Sequence, residues 1–176
     1  GSFTSPKLLV AGIETRDVRS RMEVKGPLVT FPDLSFNAYG GHIEGRLALG
    51  NGAEYYYIDL HGEGLDLGQL EKGSSGALSF TAAGKGKFGE NKLPIRLAIK
   101  DMVYSPIQKT GLEGDLLFDY VKGDILLDGT AHILPGDNNL KLSVRLPAGD
   151  APIDGTVSGY FTDLDLVAPW KGARGR

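Results

Sequence analysis

The chain has 176 residues and a net charge of −3, from 19 basic and 22 acidic side chains; it contains no cysteine, 26 glycines and 9 prolines. The interleaved charges exclude the basic stripe that a nucleic-acid backbone requires, and the absence of Cys excludes disulfides, thiolate metal sites and thiol nucleophiles. Glycine and proline at this density punctuate short elements and are poor company for long helices, so the expected fold class is all-β.

In chain order, an apolar run at Leu8-Leu9-Val10-Ala11 ends at Gly12. Val18, Ser20, Met22 and Val24 then alternate with Arg19, Arg21, Glu23 and Lys25 until Gly26-Pro27 ends the run, because strand side chains point to opposite faces with period two. Leu28 to Phe31 follows, Pro32-Asp33 reads as a turn, and Leu34, Phe36 and Ala38 form a third run. Tyr39-Gly40-Gly41-His42 reads as a tight reversal, since paired glycines allow the positive φ that a two-residue hairpin demands. Ile43, Gly45, Leu47 and Leu49 share one face of the returning strand, and Asn51-Gly52 is the strongest hairpin signal in the chain. Glu54 to Leu60 returns from it. Leu65 to Leu70 is the one place where a turn of helix is expected, Gly73-Ser74-Ser75-Gly76 reads as a flexible turn, and Ala77 to Ala83 as a strand.

Leu93 to Ile99 carries the clearest pattern, with Leu93, Ile95, Leu97 and Ile99 against Pro94, Arg96 and Ala98. Leu112 to Tyr120 and Ile125 to Leu134 repeat the device. After a loop at Pro135 to Asn139, Leu140, Leu142, Val144 and Leu146 do so once more, and Ile153 to Asp165 closes the series. About a dozen strands with short connections signal a sandwich, a barrel or a β-solenoid. Short connections make it mostly an antiparallel meander. We expect an open, curved, groove-like sheet with an apolar interior, a single segment over residues 1–176, with Gly1-Ser2 read as a cloning remnant and the rest as a piece of a longer protein. No run of 18 apolar residues is present to cross a bilayer as a helix. An internal echo, Leu60-His61-Gly62 with Leu65-Asp66-Leu67 against Val157-Ser158-Gly159 with Leu164-Asp165-Leu166, suits a sheet that grows by matching each unit to its neighbour.

His42, His61 and His132 lie far apart with no supporting carboxylate spacing and read as exposed strand histidines. Ser74-Ser75 lacks the strand-turn-helix context of a nucleophile, and Gly84-Lys85-Gly86-Lys87 opens no helix and so forms no phosphate loop. The numerous aspartates follow no calcium-loop pattern, and Tyr55-Tyr56-Tyr57 reads as cross-strand packing. No residues suggest an enzyme, a metal site or a cofactor. The residues expected to line an apolar groove are Met22, Leu47, Ile95, Leu97, Ile99, Ile125, Leu127, Leu142 and Val144. An ordinary sandwich core would explain each of them equally well.

From Phe36 to Leu49, the pattern of an aromatic, Tyr39-Gly40-Gly41, one residue, then Ile43-x-Gly45-x-Leu47-x-Leu49 resembles the recurring strand pair of the AsmA-like superfamily of bacterial envelope proteins. Gly62-Glu63-Gly64-Leu65-Asp66-Leu67-Gly68-Gln69-Leu70 extends the likeness. The close, from Val157-Ser158-Gly159 through Leu164-Asp165-Leu166-Val167-Ala168-Pro169-Trp170, is similar to the repeat of the TamB branch, the translocation and assembly module. The resemblance covers most of the chain from about Leu34 onward, its motifs are short and glycine-based, and the type II secretion protein N family shares much of the pattern.

The resemblance implies a taco-shaped β-structure in the periplasm of a Gram-negative bacterium, anchored in the inner membrane through the full-length protein. Its apolar groove would carry phospholipid acyl chains, or detergent, between the two membranes. It also implies a partnership with an outer-membrane barrel of the BamA-like type and a link to outer-membrane protein assembly; no motif for that contact is present. Two other functions remain open from the sequence: a protein-binding module that adds strands at an open sheet edge, and an inert spacer. Edge strands left unpaired are expected to cause self-association.

Overall fold

The computed structural model describes residues 1–10, 13–50, 52, 54–70, 73–104, 107–134, 136–147 and 154–160. Its strands are β1 (Ser2–Val10), β2 (Ile13–Arg21), β3 (Glu23–Lys25), β4 (Leu28–Ala38), β5 (Gly41–Gly50), β6 (Tyr55–Asp66), β7 (Ser74–Lys87), β8 (Leu93–Tyr104), β9 (Ile107–Val121), β10 (Asp124–Leu134), β11 (Asn138–Leu146) and β12 (Asp154–Tyr160), with one helical turn, α1 (Leu67–Leu70). Every pairing is antiparallel, and the strands follow chain order across one unclosed sheet from β1 to β12, with β3 beside β2 on the same edge of β4. The expected all-β meander, open and curved, is the observed fold. Among the described residues no helix is long and apolar enough to cross a membrane.

Two turns show local chemistry at work. Ala38 pairs with Gly41 across a two-residue loop in which Tyr39 (φ 49°) and Gly40 (φ 75°) are both left-handed, the geometry whose twist matches flanking strands. Tyr39, rather than the second glycine of the pair, takes the first of these positions. The helical turn expected near Leu65 is α1, and the Asp66 carboxylate caps it by accepting from the Gly68 N–H at 2.9 Å.

Pro32-Asp33 is not the expected turn. β4 runs straight through it, with a register shift between Phe31 and Leu34. Proline has no N–H for the ladder, and a bulge is where that loss is tolerated. Asp33 fills the gap by accepting from the Arg21 backbone N–H at 2.7 Å and from Arg21 Nε at 2.8 Å. Those bonds hold its carboxyl below the usual range, the backbone donor first. Directly opposite, the strand expected from Val18 to Lys25 breaks at Met22 into β2 and β3. Met22 exchanges backbone bonds with Gly1 at 2.7 and 2.8 Å, so Gly1-Ser2 extend the β1 ladder. The flexible turn expected at Gly73–Gly76 is also displaced, for Ser74 and Ser75 already pair with Tyr104 and Val103. Asn51 and Pro135 and the segment after Tyr160, which carries part of the internal echo and of the family likeness, lie outside the described residues.

Two further bulges decide which side chains face which way. Asp17 and Asp101 both have φ 52°, a conformation that Asp tolerates better than most residues. Each adds one residue to its strand. In β8 the extra residue turns Met102, 8% exposed, to the position that strict alternation from Ile99 assigns to Asp101.

Candidate apolar groove

Cross-strand partners in an antiparallel ladder stand on the same face, so the register assigns faces across the whole sheet. One row runs Val157, Leu142, Gly129, Leu116, Ile95, Ala82, Leu60, Gly45, Leu34, from β12 to β4. A second runs Gly159, Leu140, Ala131, Gly114, Leu97, Phe80, Gly62, Ile43, Phe36. Neither contains a polar side chain. A row on the opposite face runs Ser158, Lys141, Thr130, Asp115, Arg96, Thr81, His61, Glu44, Ser35, Arg19, Thr4, and every member is polar. Alternation within each strand has become segregation along these rows, although Leu117 and Leu126 stand on the polar face opposite Asp128, Asp119 and Arg145.

Eight of the nine expected groove residues share the apolar face: Leu47, Ile95, Leu97, Ile99, Ile125, Leu127, Leu142 and Val144. All eight are half-buried rather than fully enclosed. Met22 is not brought to them. It lies between β2 and β3 and is 42% exposed, because the break opposite the β4 bulge interrupts the alternation that placed it there.

At the β1 end the apolar face forms a half-open cavity of about 460 Å³, within the ~300–1,000 Å³ typical of ligand clefts. It is lined by Phe3 and Leu8 of β1, Thr15, Val18 and Ser20 of β2, Phe31, Leu34, Phe36 and Ala38 of β4, Tyr39 of the turn, Ile43 and Leu47 of β5, and Leu60 of β6. On a flat sheet β1 and β6 would stand roughly 19 Å apart, four spacings of ~4.8 Å. Their lining a common cavity shows how strongly this part of the sheet curls. The aliphatic hydroxyls in the lining are already satisfied: Thr15 Oγ1 donates to the Leu8 carbonyl and Ser20 Oγ to the Arg21 carbonyl, both at 2.8 Å. Hydroxyls occupied in this way leave a hydrocarbon lining. Leu47 is the one expected groove residue in it; Phe3, Leu8, Phe31 and Leu60 were legible as apolar but nothing local marked them as cavity walls.

Beyond the cavity the face is packed. Ala38, Ile43 and Leu65 form one buried cluster, with Phe36, Tyr39, Leu78 and Phe80 against it. Tyr56, Ala82 and Leu93 form a second, with Leu49, Ile58, Phe80, Phe88, Ile95 and Phe118 against it. Phe88 comes from the β7–β8 loop and folds back over the sheet, stacked on Tyr56 at 4.4 Å between ring centroids and edge-on to Phe118 and Tyr120 at 6.3 and 6.2 Å. Its loop is tied down at several points. The Tyr56 hydroxyl donates to the Asn91 carbonyl at 2.9 Å, the Phe88 N–H to the Glu54 carbonyl at 3.0 Å, and the Gly89 N–H to Asp119 Oδ1 at 2.8 Å. Burial, and secondarily the charge of Asp119, push the Tyr56 phenol up.

The opposite face holds exposed charge pairs. Asp128 accepts from Lys92 Nζ and from Ser143 Oγ, each at 2.6 Å, and the Lys92 bond leads in holding its carboxyl below the usual range. Arg96 pairs with Asp115 at 3.0 Å. His42 and His61 stand here, exposed, beside Glu44 and Glu63 at 3.7 and 4.0 Å. Among the described residues no group of three or more His, Asp or Glu is placed to hold a metal ion. The chain matches no family model, no curated protein and no solved structure.

Proposed function

We propose that the apolar face is a binding trough for hydrocarbon chains and that this chain is a segment of a periplasmic conduit carrying phospholipid between membranes. The observation that carries the reading is the cavity beside β1, whose walls are aliphatic and aromatic and whose Thr15 and Ser20 hydroxyls are already bonded to backbone. The half-buried state of the aliphatic rows on β8 to β11 supports it further, since a closed sandwich core would enclose them. An acyl chain leaving water gains about 0.8 kcal/mol per methylene, so a sixteen-carbon tail gains ~12 kcal/mol in a fully apolar trough. Contacts with Leu, Ile and Val are non-directional, so a bound chain slides without breaking any one specific bond. Location in the periplasm, an inner-membrane anchor and a BamA-like partner follow only from the resemblance and belong to the same proposal.

The test is calorimetric titration with palmitate. Saturable binding with a negative heat-capacity change is the expected result, the signature of apolar surface leaving water; absence of binding below the micellar range would end the proposal.

A second reading, strand addition at the sheet edge, is favoured by β12. All seven of its residues are exposed, with Val157 at 68% and Tyr160 at 65%, and it contains neither Pro nor Lys, two common guards of an edge. β1, by contrast, carries both Pro6 and Lys7. Self-association through β12 is therefore expected at high concentration, and Val157→Lys should shift a sedimentation profile towards monomer. An unchanged profile would dismiss this edge as the contact.

A further inference from the structure

The cavity does not run on into the aliphatic rows of β8 to β11. Phe36, Tyr39 and Ile43 line it and at the same time pack in the first buried cluster, with Phe80 on β7. Phe80 also packs against the second cluster, around Tyr56, Ala82 and Leu93. Among the described residues it is the one side chain common to both, and it stands in the middle of the sheet between the cavity on β1 to β6 and Ile95, Leu97 and Ile99 on β8.

The position is prepared on the backbone. Gly62 is Phe80's partner on β6, and a Cβ on Gly62 would lie 2.2 Å from Phe80 Cε1 and 2.7 Å from Cδ1. Only glycine lets the ring lie flat against β6 at this point. A bare backbone position beneath an aromatic ring holds that ring across the face rather than letting it stand away. Packing against both clusters holds the half-buried ring at this position.

We infer that Phe80, seated on Gly62, is a barrier across the trough that sets the length of hydrocarbon chain the cavity accepts. This rests on the reading of the cavity as a hydrocarbon site and adds the residue that determines its specificity. Phe80 stands behind the cavity wall, packed against the cluster that holds Ile43; chains short enough to end at that wall gain the full benefit of each added methylene, and longer ones must leave the excess in water or displace the ring. Passage along the sheet then requires Phe80 to move, so it also separates a storage end from the rows beyond.

The experiment is a series of saturated fatty acids, from about 10 to about 18 carbons, titrated calorimetrically into the wild-type chain, Phe80→Ala, Phe80→Leu and Gly62→Ala. Each methylene that finds apolar contact should tighten binding ~4-fold. Wild type is expected to follow that slope to a limiting length and then to level off. Phe80→Ala should carry the slope on to longer acids, by two or more methylenes, with short acids bound as before. Gly62→Ala, which must push the ring off its seat, should move the limit as well, and Phe80→Leu should lie between. If Phe80→Ala does not fold, by circular dichroism and thermal unfolding, Phe80→Leu and Gly62→Ala carry the test. The same limiting length in every folded variant would overturn the barrier while leaving the hydrocarbon site standing. Failure of the wild type to bind any of the acids would overturn both.

Discussion

Leu47→Asp should sharply weaken palmitate binding, while the far-ultraviolet circular dichroism of the sheet is retained. Leu47 lines the cavity between its ladder partners Phe31 and Ile58, and the cavity lining contains no cation to meet a new carboxylate. A charge there keeps its water, since an unpaired carboxylate in apolar surroundings is strongly disfavoured. The hydrocarbon then loses the leucine contact, worth about 1.5–3 kcal/mol when fully made, and shares its site with water. Binding should weaken by roughly 10- to 100-fold at least. The sheet should tolerate the change, because Leu47 is half-buried and belongs to neither buried cluster. Leu97→Asp and Leu142→Asp lie beyond Phe80 on β8 and β11. They should leave short-chain binding in the cavity intact and stop phospholipid transfer between donor and acceptor vesicles. Unfolding in all three variants would instead mean that these rows are an ordinary closed core.

The largest loss of stability is expected from Phe88→Ala. This ring bridges Tyr56 on β6 to Phe118 and Tyr120 on β9, two strands that are not neighbours in the sheet. Removing it opens a gap beside the buried cluster of Tyr56, Ala82 and Leu93, against which it packs. A buried Phe replaced by Ala costs about 3–5 kcal/mol; for a half-buried ring tied into the loop, about 2–4 kcal/mol is expected. For a chain of this size that corresponds to a fall in Tm of roughly 4–16 °C. Differential scanning calorimetry measures it directly. Palmitate binding should survive in the folded fraction, since Phe88 is not part of the cavity wall. A Tm change within about 1 °C would mean that the loop is not fastened to the sheet as its bonds suggest.

How much of this was legible beforehand differs from element to element. Leu93, Ile95, Leu97 and Ile99 were assigned to one face from alternation alone, and the ladder keeps them there, because within an uninterrupted strand the period of two is imposed by backbone geometry. The same holds for Leu140 to Leu146 and for Ile43 to Leu49. Met22 shows where that reasoning stops. Its phase holds only if the strand continues, and the strand is broken opposite a bulge on its neighbour, at Pro32-Asp33 further along the chain. Asp17 and Asp101 re-phase their strands in the same manner, and nothing in the residues beside them announces it.

By itself, then, the amino-acid order determined that the chain is an all-β meander with one apolar and one polar face, since hydrophobic alternation and turn residues act over a few neighbours. Only the tertiary structure decided that the apolar face curls into a cavity at β1 to β6 and is filled around Phe80. Curvature comes from bulges and twist accumulated over many strands, and filling depends on which rings meet across the ladder, so both are properties of register between segments far apart in the chain.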